Sequence, residues 1–138
     1  MKRFSNVIET EKKGEIRLTS DCIISRGNEK RDILGDPIKV EALWDTGASY
    51  CVVSPVIAKK LSLVPLGQQE LICIDGRFKT DFYIINLHFA PDWIETVVAM
   101  KSHCETFQLV IGMDLLWRGD FMIKKNGSKL EFSFEVGS

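Results

Sequence analysis

The stretch that most constrains this chain is Ala42-Leu43-Trp44-Asp45-Thr46-Gly47-Ala48-Ser49. Ahead of it, Ile38 to Ala42 alternates apolar and charged residues with period two, the pattern of a half-buried strand. That strand runs into a carboxylate, then a hydroxyl residue, a glycine and two small residues. An apolar strand rarely ends on an acid backed by so tight a turn. A second apolar segment, Leu109-Val110-Ile111, stops as abruptly at Gly112 and is followed by Met113-Asp114-Leu115-Leu116.

The rest of the chain predicts mostly strand. Glu15 to Thr19 alternates like a strand that Cys22 to Ser25 continues, and Gly27 and Asn28 mark the loop after them. Ser54-Pro55 reads as an N-cap followed by proline at the first helical position, opening a short helix through Val56, Ile57, Ala58 and Leu61. Asp75-Gly76 falls between two strand-like runs, Leu71–Ile74 and Arg77 onward, and Asn126-Gly127 falls between two others. Each dipeptide predicts a two-residue type I′ hairpin, because that turn needs positive φ at both central positions. Phe82 to Phe89 and Trp93 to Met100 read as long strands, and Met113 to Trp117 as one or two helical turns with Asp114 as its N-cap. Trp93, Trp117 and Phe121 are expected in the core. Residues 1–14 are polar and charged and read as a possible flexible N-terminal arm, with the domain itself spanning 15–138.

Composition narrows the function classes. The chain has 138 residues, 45% of them apolar, enough to bury one core. Eighteen basic against nineteen acidic residues leave no electrostatic case for nucleic acid or an anionic membrane as partner. No apolar run approaches membrane-spanning length, and Met1-Lys2-Arg3 is followed by no apolar segment of signal-peptide type. A cytoplasmic location is expected. Cys22, Cys51, Cys73 and Cys104 are scattered without a C-x-x-C pair, and are read as reduced thiols. His103-Cys104 fits no common zinc spacing, so no metal site and no cofactor is expected. Asn126-Gly127-Ser128 matches a glycosylation sequon, but the turn reading is preferred.

Asp45-Thr46-Gly47-Ala48 together with Val110-Ile111-Gly112 resembles the active-site loop and supporting element of retropepsin-like aspartic peptidases. The segment Ile111–Leu116 followed by Gly119-Asp120-Phe121 is most similar to the non-viral, single-domain members of that group, those of bacteria and retroelement-derived genes. The resemblance implies a mostly β fold, a closed antiparallel β-barrel of the retropepsin (acid protease) type with two short helices. It implies an aspartic endopeptidase with Asp45 as the catalytic residue, supported by Thr46, Gly47 and Ala48. Ile74, Asp75 and Gly76 then form the tip of a flap over an extended polypeptide substrate, with side pockets from Val52, Ile72, Ile74, Val110 and Ile111.

Two carboxylates must share such a site, so that one ionises and the other keeps its proton. The chain carries one Asp-Thr-Gly. Stoichiometry therefore implies a homodimer, with Asp45 supplied by each subunit. Three positions depart from the viral pattern: Met113 and Ser49 stand where an Arg–Asp pair would be, and Arg77 adds charge beside the flap tip. The competing expectation is a catalytically inactive module of the same fold that binds peptides or dimerises.

Overall fold

The strand that leads into Asp45 is an 11-residue member of a mixed sheet. The computed structural model describes residues 1–10, 16–73 and 76–137, and for Cys73 the backbone alone. Its elements are β1 (Lys2–Glu9), β2 (Thr19–Arg26), β3 (Leu34–Trp44), β4 (Cys51–Val53), α1 (Pro55–Lys60), β5 (Gly67–Cys73), β6 (Gly76–Ala90), β7 (Trp93–Lys101), β8 (Leu109–Ile111), α2 (Met113–Leu116), β9 (Asp120–Asn126) and β10 (Lys129–Val136). The fold is mostly β with two short helices.

Seven strands form one sheet in the order β2-β3-β8-β4-β7-β6-β5, and β2 also pairs with β6 from Ile23↔His88 to Arg26↔Ile85. Pairing is mostly antiparallel, but the expected antiparallel barrel needs correction at two places. β3 pairs with β8 in parallel (Ala42↔Leu109, Leu43↔Val110, Trp44↔Ile111), and so does β4 with β7. Parallel neighbours need long crossovers, and the chain between β3 and β8 supplies one.

The second sheet, β1-β10-β9, corrects the reading of the N-terminus. Residues 2–9 do not hang free; they pair with β10 from Lys2↔Val136 to Glu9↔Lys129. Phe4, Asn6 and Ile8 form the half-buried face of β1, and Asn6 stays there because its Nδ2 donates to the Thr19 carbonyl at 2.7 Å.

This small sheet closes over Trp44. The indole stacks on Phe4 (5.2 Å between ring centroids) and Phe121 (5.9 Å) and is flanked by Phe89, Phe132 and Phe134. Its Nε1 donates to Ser20 Oγ at 2.9 Å, so the one polar atom of the ring is satisfied inside the cluster. Trp93 joins the same cluster, whereas Trp117, expected in the core, is 83% exposed just after α2.

The helix opening at Ser54 is as predicted: Ser54 Oγ accepts from the Ile57 amide at 3.2 Å, with Pro55 at the first position. Both hairpins form, but neither register is the predicted one. Asn126 pairs with Lys129, leaving Gly127 and Ser128 as the turn. Gly127 has φ 62° and Ser128 has no positive φ, so glycine is needed at the first central position alone, the type II′ pattern. Gly76 likewise belongs to β6, opposite Cys73, and the residues between them lie outside those described.

Candidate active site

Asp45 is the first residue beyond β3, half-buried, and its loop is fastened to the 111–114 segment at three successive points. The Asp45 amide donates to the Ile111 carbonyl at 2.9 Å, carrying the β3–β8 pairing one step further. The Met113 amide donates to the Ala48 carbonyl at 2.7 Å. The Cys51 amide donates to Asp114 Oδ2, and the Cys51 thiol to Asp114 Oδ1, both at 3.1 Å. Within the loop, the Ala48 amide closes a turn onto the Asp45 carbonyl at 3.2 Å, and the Gly47 amide donates to Asp45 Oδ1 at 2.8 Å. A carboxylate held by a backbone N–H cannot swing freely, so its second oxygen keeps a fixed outlook.

Gly112 makes this fastening possible. A Cβ there would stand 2.5 Å from the Tyr50 carbonyl oxygen and 2.8 Å from that of Ala48. Its φ of −105° and ψ of −172° are open to any residue. The requirement for glycine is therefore close backbone approach and not an unusual dihedral.

Asp114 is not the N-cap of α2. Gly112 occupies that position without a side-chain bond, while Asp114 sits in the first turn and also accepts from the Leu115 amide at 2.9 Å. Its carboxylate reaches across to the start of β4. Cys51 is fully buried, and its thiol is pushed well above the ordinary range, first by burial and next by the Asp114 charge. It is a structural donor, not a nucleophile.

Between the loop and β5 lies a cleft of about 420 Å³, walled by Gly47, Ala48, Ser49, Tyr50, Val52 and Met100 on one side and by Glu70, Leu71 and Ile72 on the other. Ile72 is 76% exposed, an apolar side chain standing in solvent on the hairpin arm. Val52 and Ile72 line the same cleft. Ile111 does not join them: it is fully buried in the core, and Val110 is half-buried between Leu43 and Val52 outside the cleft wall. These two support the loop from beneath.

Ile74 and Asp75, read as the flap tip, lie outside the described residues; Gly76 is exposed at the start of β6 with φ 128°. Thr46 is exposed and its hydroxyl bonds to no described residue. Sequence reasoning missed Tyr50, Met100 and the Asp114–Cys51 link. The pair is 63 residues apart, and no local signal joins them. Among the described residues no three His, Cys, Asp or Glu side chains are placed to share a metal ion. No helix among them is long and apolar enough to cross a membrane.

Comparison with solved structures finds the same fold. A retropepsin-like aspartic protease from Rickettsia conorii superposes with a TM-score of 0.61 at 14% sequence identity, covering 96% of this chain and 92% of that one. The EIAV protease in complex with the inhibitor HBY-793 gives 0.53 at 16% identity, covering 75% of this chain and 88% of that one. Neither protein-family models nor curated proteins give a match to the sequence. The chain has a retropepsin-like fold.

Proposed function

We propose that this protein is an aspartic endopeptidase that acts as a homodimer, with Asp45 of each subunit forming the catalytic dyad. The observation that carries the proposal is the Asp45 loop itself: a carboxylate at a strand end, anchored by Gly47 and by the 111–114 segment, beside an apolar cleft beneath a hairpin. Both proteins named above are proteases, which supports the same reading. The β2–β6 pairing supports a closed barrel as the scaffold.

In this mechanism the two carboxylates share one proton, because two like charges in contact cannot both ionise, and the titration belongs to the pair. The ionised carboxylate takes a proton from a bound water as that water attacks the scissile carbonyl. The protonated one donates to the carbonyl oxygen, giving a tetrahedral intermediate. Protonation of the leaving nitrogen and collapse of the intermediate release two peptides. The Gly47 amide holds one oxygen of each Asp45 and leaves the other for the water. A substrate lying extended along the cleft would place side chains against Val52, Leu71, Ile72 and Met100. The Ile74–Gly76 turn would close over it and exclude water.

The test is cleavage of a denatured protein mixture across pH 3–8 at high protein concentration, comparing wild type with Asp45→Asn. Cleavage lost in the variant supports the proposal. Equal cleavage by both assigns the activity elsewhere. No cleavage, with retained binding of apolar peptides, favours a binding module built on the same cleft.

A further inference from the structure

A second cavity, of about 470 Å³, shares no wall residue with the Asp45 cleft. It lies between the loop joining β2 to β3 and the connector from α1 to β5, and its size is in the roughly 300–1,000 Å³ range of small-molecule sites. One wall is apolar, from Leu34, Leu63, Val64, Leu66, Tyr83 and Ile84, with Val64 and Leu66 largely in solvent.

The facing wall is polar and built to hold its shape. Asn28 Oδ1 accepts from the amides of Lys30 and Asp32 at 2.9 and 3.0 Å. The fully buried Asn86 donates through Nδ2 to the Asp32 carbonyl at 3.0 Å and accepts from Thr96 Oγ1 at 2.7 Å. Of the wall's acids, Asp32 gives its carboxylate to Asn28 Nδ2 at 2.9 Å, and Glu29 is exposed. Arg26 is left over. Its Nη1 donates to the Ser62 carbonyl at 3.1 Å, while its Nε is buried and has no acceptor among the described residues. No carboxylate among them pairs with its guanidinium. Arg26 lines the cavity, and an anion there can bond to the part of the guanidinium that the Ser62 carbonyl and the sealed Nε do not occupy.

We infer that this cavity binds a small apolar molecule ending in a carboxylate, with the acid on the Arg26 guanidinium and the tail against Leu63, Val64 and Leu66. The chemistry is shared by a medium-chain fatty acid and by the C-terminal end of an apolar peptide. Both are tested by isothermal titration of the intact chain with decanoate below its micellar concentration and with acetyl-Val-Leu-Leu, each beside its uncharged counterpart, decanol and the peptide amide.

At least one acid binds one per chain, and its uncharged counterpart binds about tenfold more weakly. Arg26→Gln weakens the acid by a similar factor. Val64→Asp, at an exposed position that folding does not need, does the same through charge repulsion and lost apolar contact. Whichever acid binds identifies the source. If neither acid binds saturably, or if binding persists undiminished in both variants, the inference is wrong.

Discussion

Replacing Gly112 by alanine tests how the Asp45 loop is held. The new Cβ would meet the Tyr50 carbonyl oxygen at 2.5 Å, its carbon at 2.7 Å and the Ala48 carbonyl oxygen at 2.8 Å. All three are backbone atoms, so no rotamer change relieves the contact. Ordinary van der Waals separation requires the 48–50 backbone to withdraw by about half an ångström or more, against the 2.7 Å bond from the Met113 amide to Ala48. Overpacking of this kind costs about 1–3 kcal/mol, and loss of glycine at an N-cap adds a few tenths or more. For a chain of this size that lowers Tm by roughly 3–10 °C. Urea unfolding of Gly112→Ala measures the cost, with Gly137→Ala as control, since a Cβ there meets nothing within 4 Å. Amide chemical shifts of Ala48 to Cys51 report whether the loop has moved. A variant within about 0.5 kcal/mol of wild type, with those shifts unchanged, would refute the close-approach argument.

Trp44→Phe removes the Nε1 bond to Ser20 and part of the stacking with Phe4 and Phe121, and should cost about 1–3 kcal/mol in denaturant unfolding, whereas Trp117→Phe at an exposed site should stay within about 0.5 kcal/mol. Burial holds the His88 imidazole below its ordinary value of 6.5 while its Nε2 meets Ser25 Oγ at 2.7 Å. The unfolded chain therefore takes up this proton first, so stability should fall as pH drops below about 6.5 and flatten once the folded protein is also protonated. In His88→Gln that part of the pH dependence should vanish from Tm measured between pH 7 and 5. Cys22, buried and with its thiol pushed up to about 12, and buried Cys51 should resist alkylation at neutral pH. Cys104, exposed and shifted down by bonds to Thr106 and Ser102, should react first in a Cys73→Ser background, as peptide mapping would show.

What could be read from the sequence was what is local. Ser54-Pro55 announces α1 because cap and proline act within one turn, and the strand leading into Asp45 is visible over Ile38–Ala42, where alternation is unbroken, but not over its first residues Leu34–Pro37. The hairpins were legible in kind but not in register. Asn126-Gly127-Ser128 can place its glycine at either central position, and Phe121 settles the matter by sitting opposite Phe134 and against Trp44. Strand β1 was hidden by its composition: one inward position is Asn6, whose amide is satisfied by Thr19, and no residue pattern reveals that partner. The parallel β3–β8 pairing and the Cys51–Asp114 link join residues far apart in the chain. Asp114 near a helix start favoured the local cap reading, and the tertiary contact took the carboxylate instead.

The central claim is that one active site needs the Asp45 of two chains. The most direct measurement mixes wild type with an equal amount of Asp45→Asn, allows subunits to exchange, and follows cleavage of a fluorogenic peptide. If the dyad is shared, only about a quarter of the dimers keep both carboxylates, and activity falls to about half that of the same amount of wild type alone. Activity unchanged by the added variant would mean that each chain works by itself, and the shared-dyad account would be contradicted.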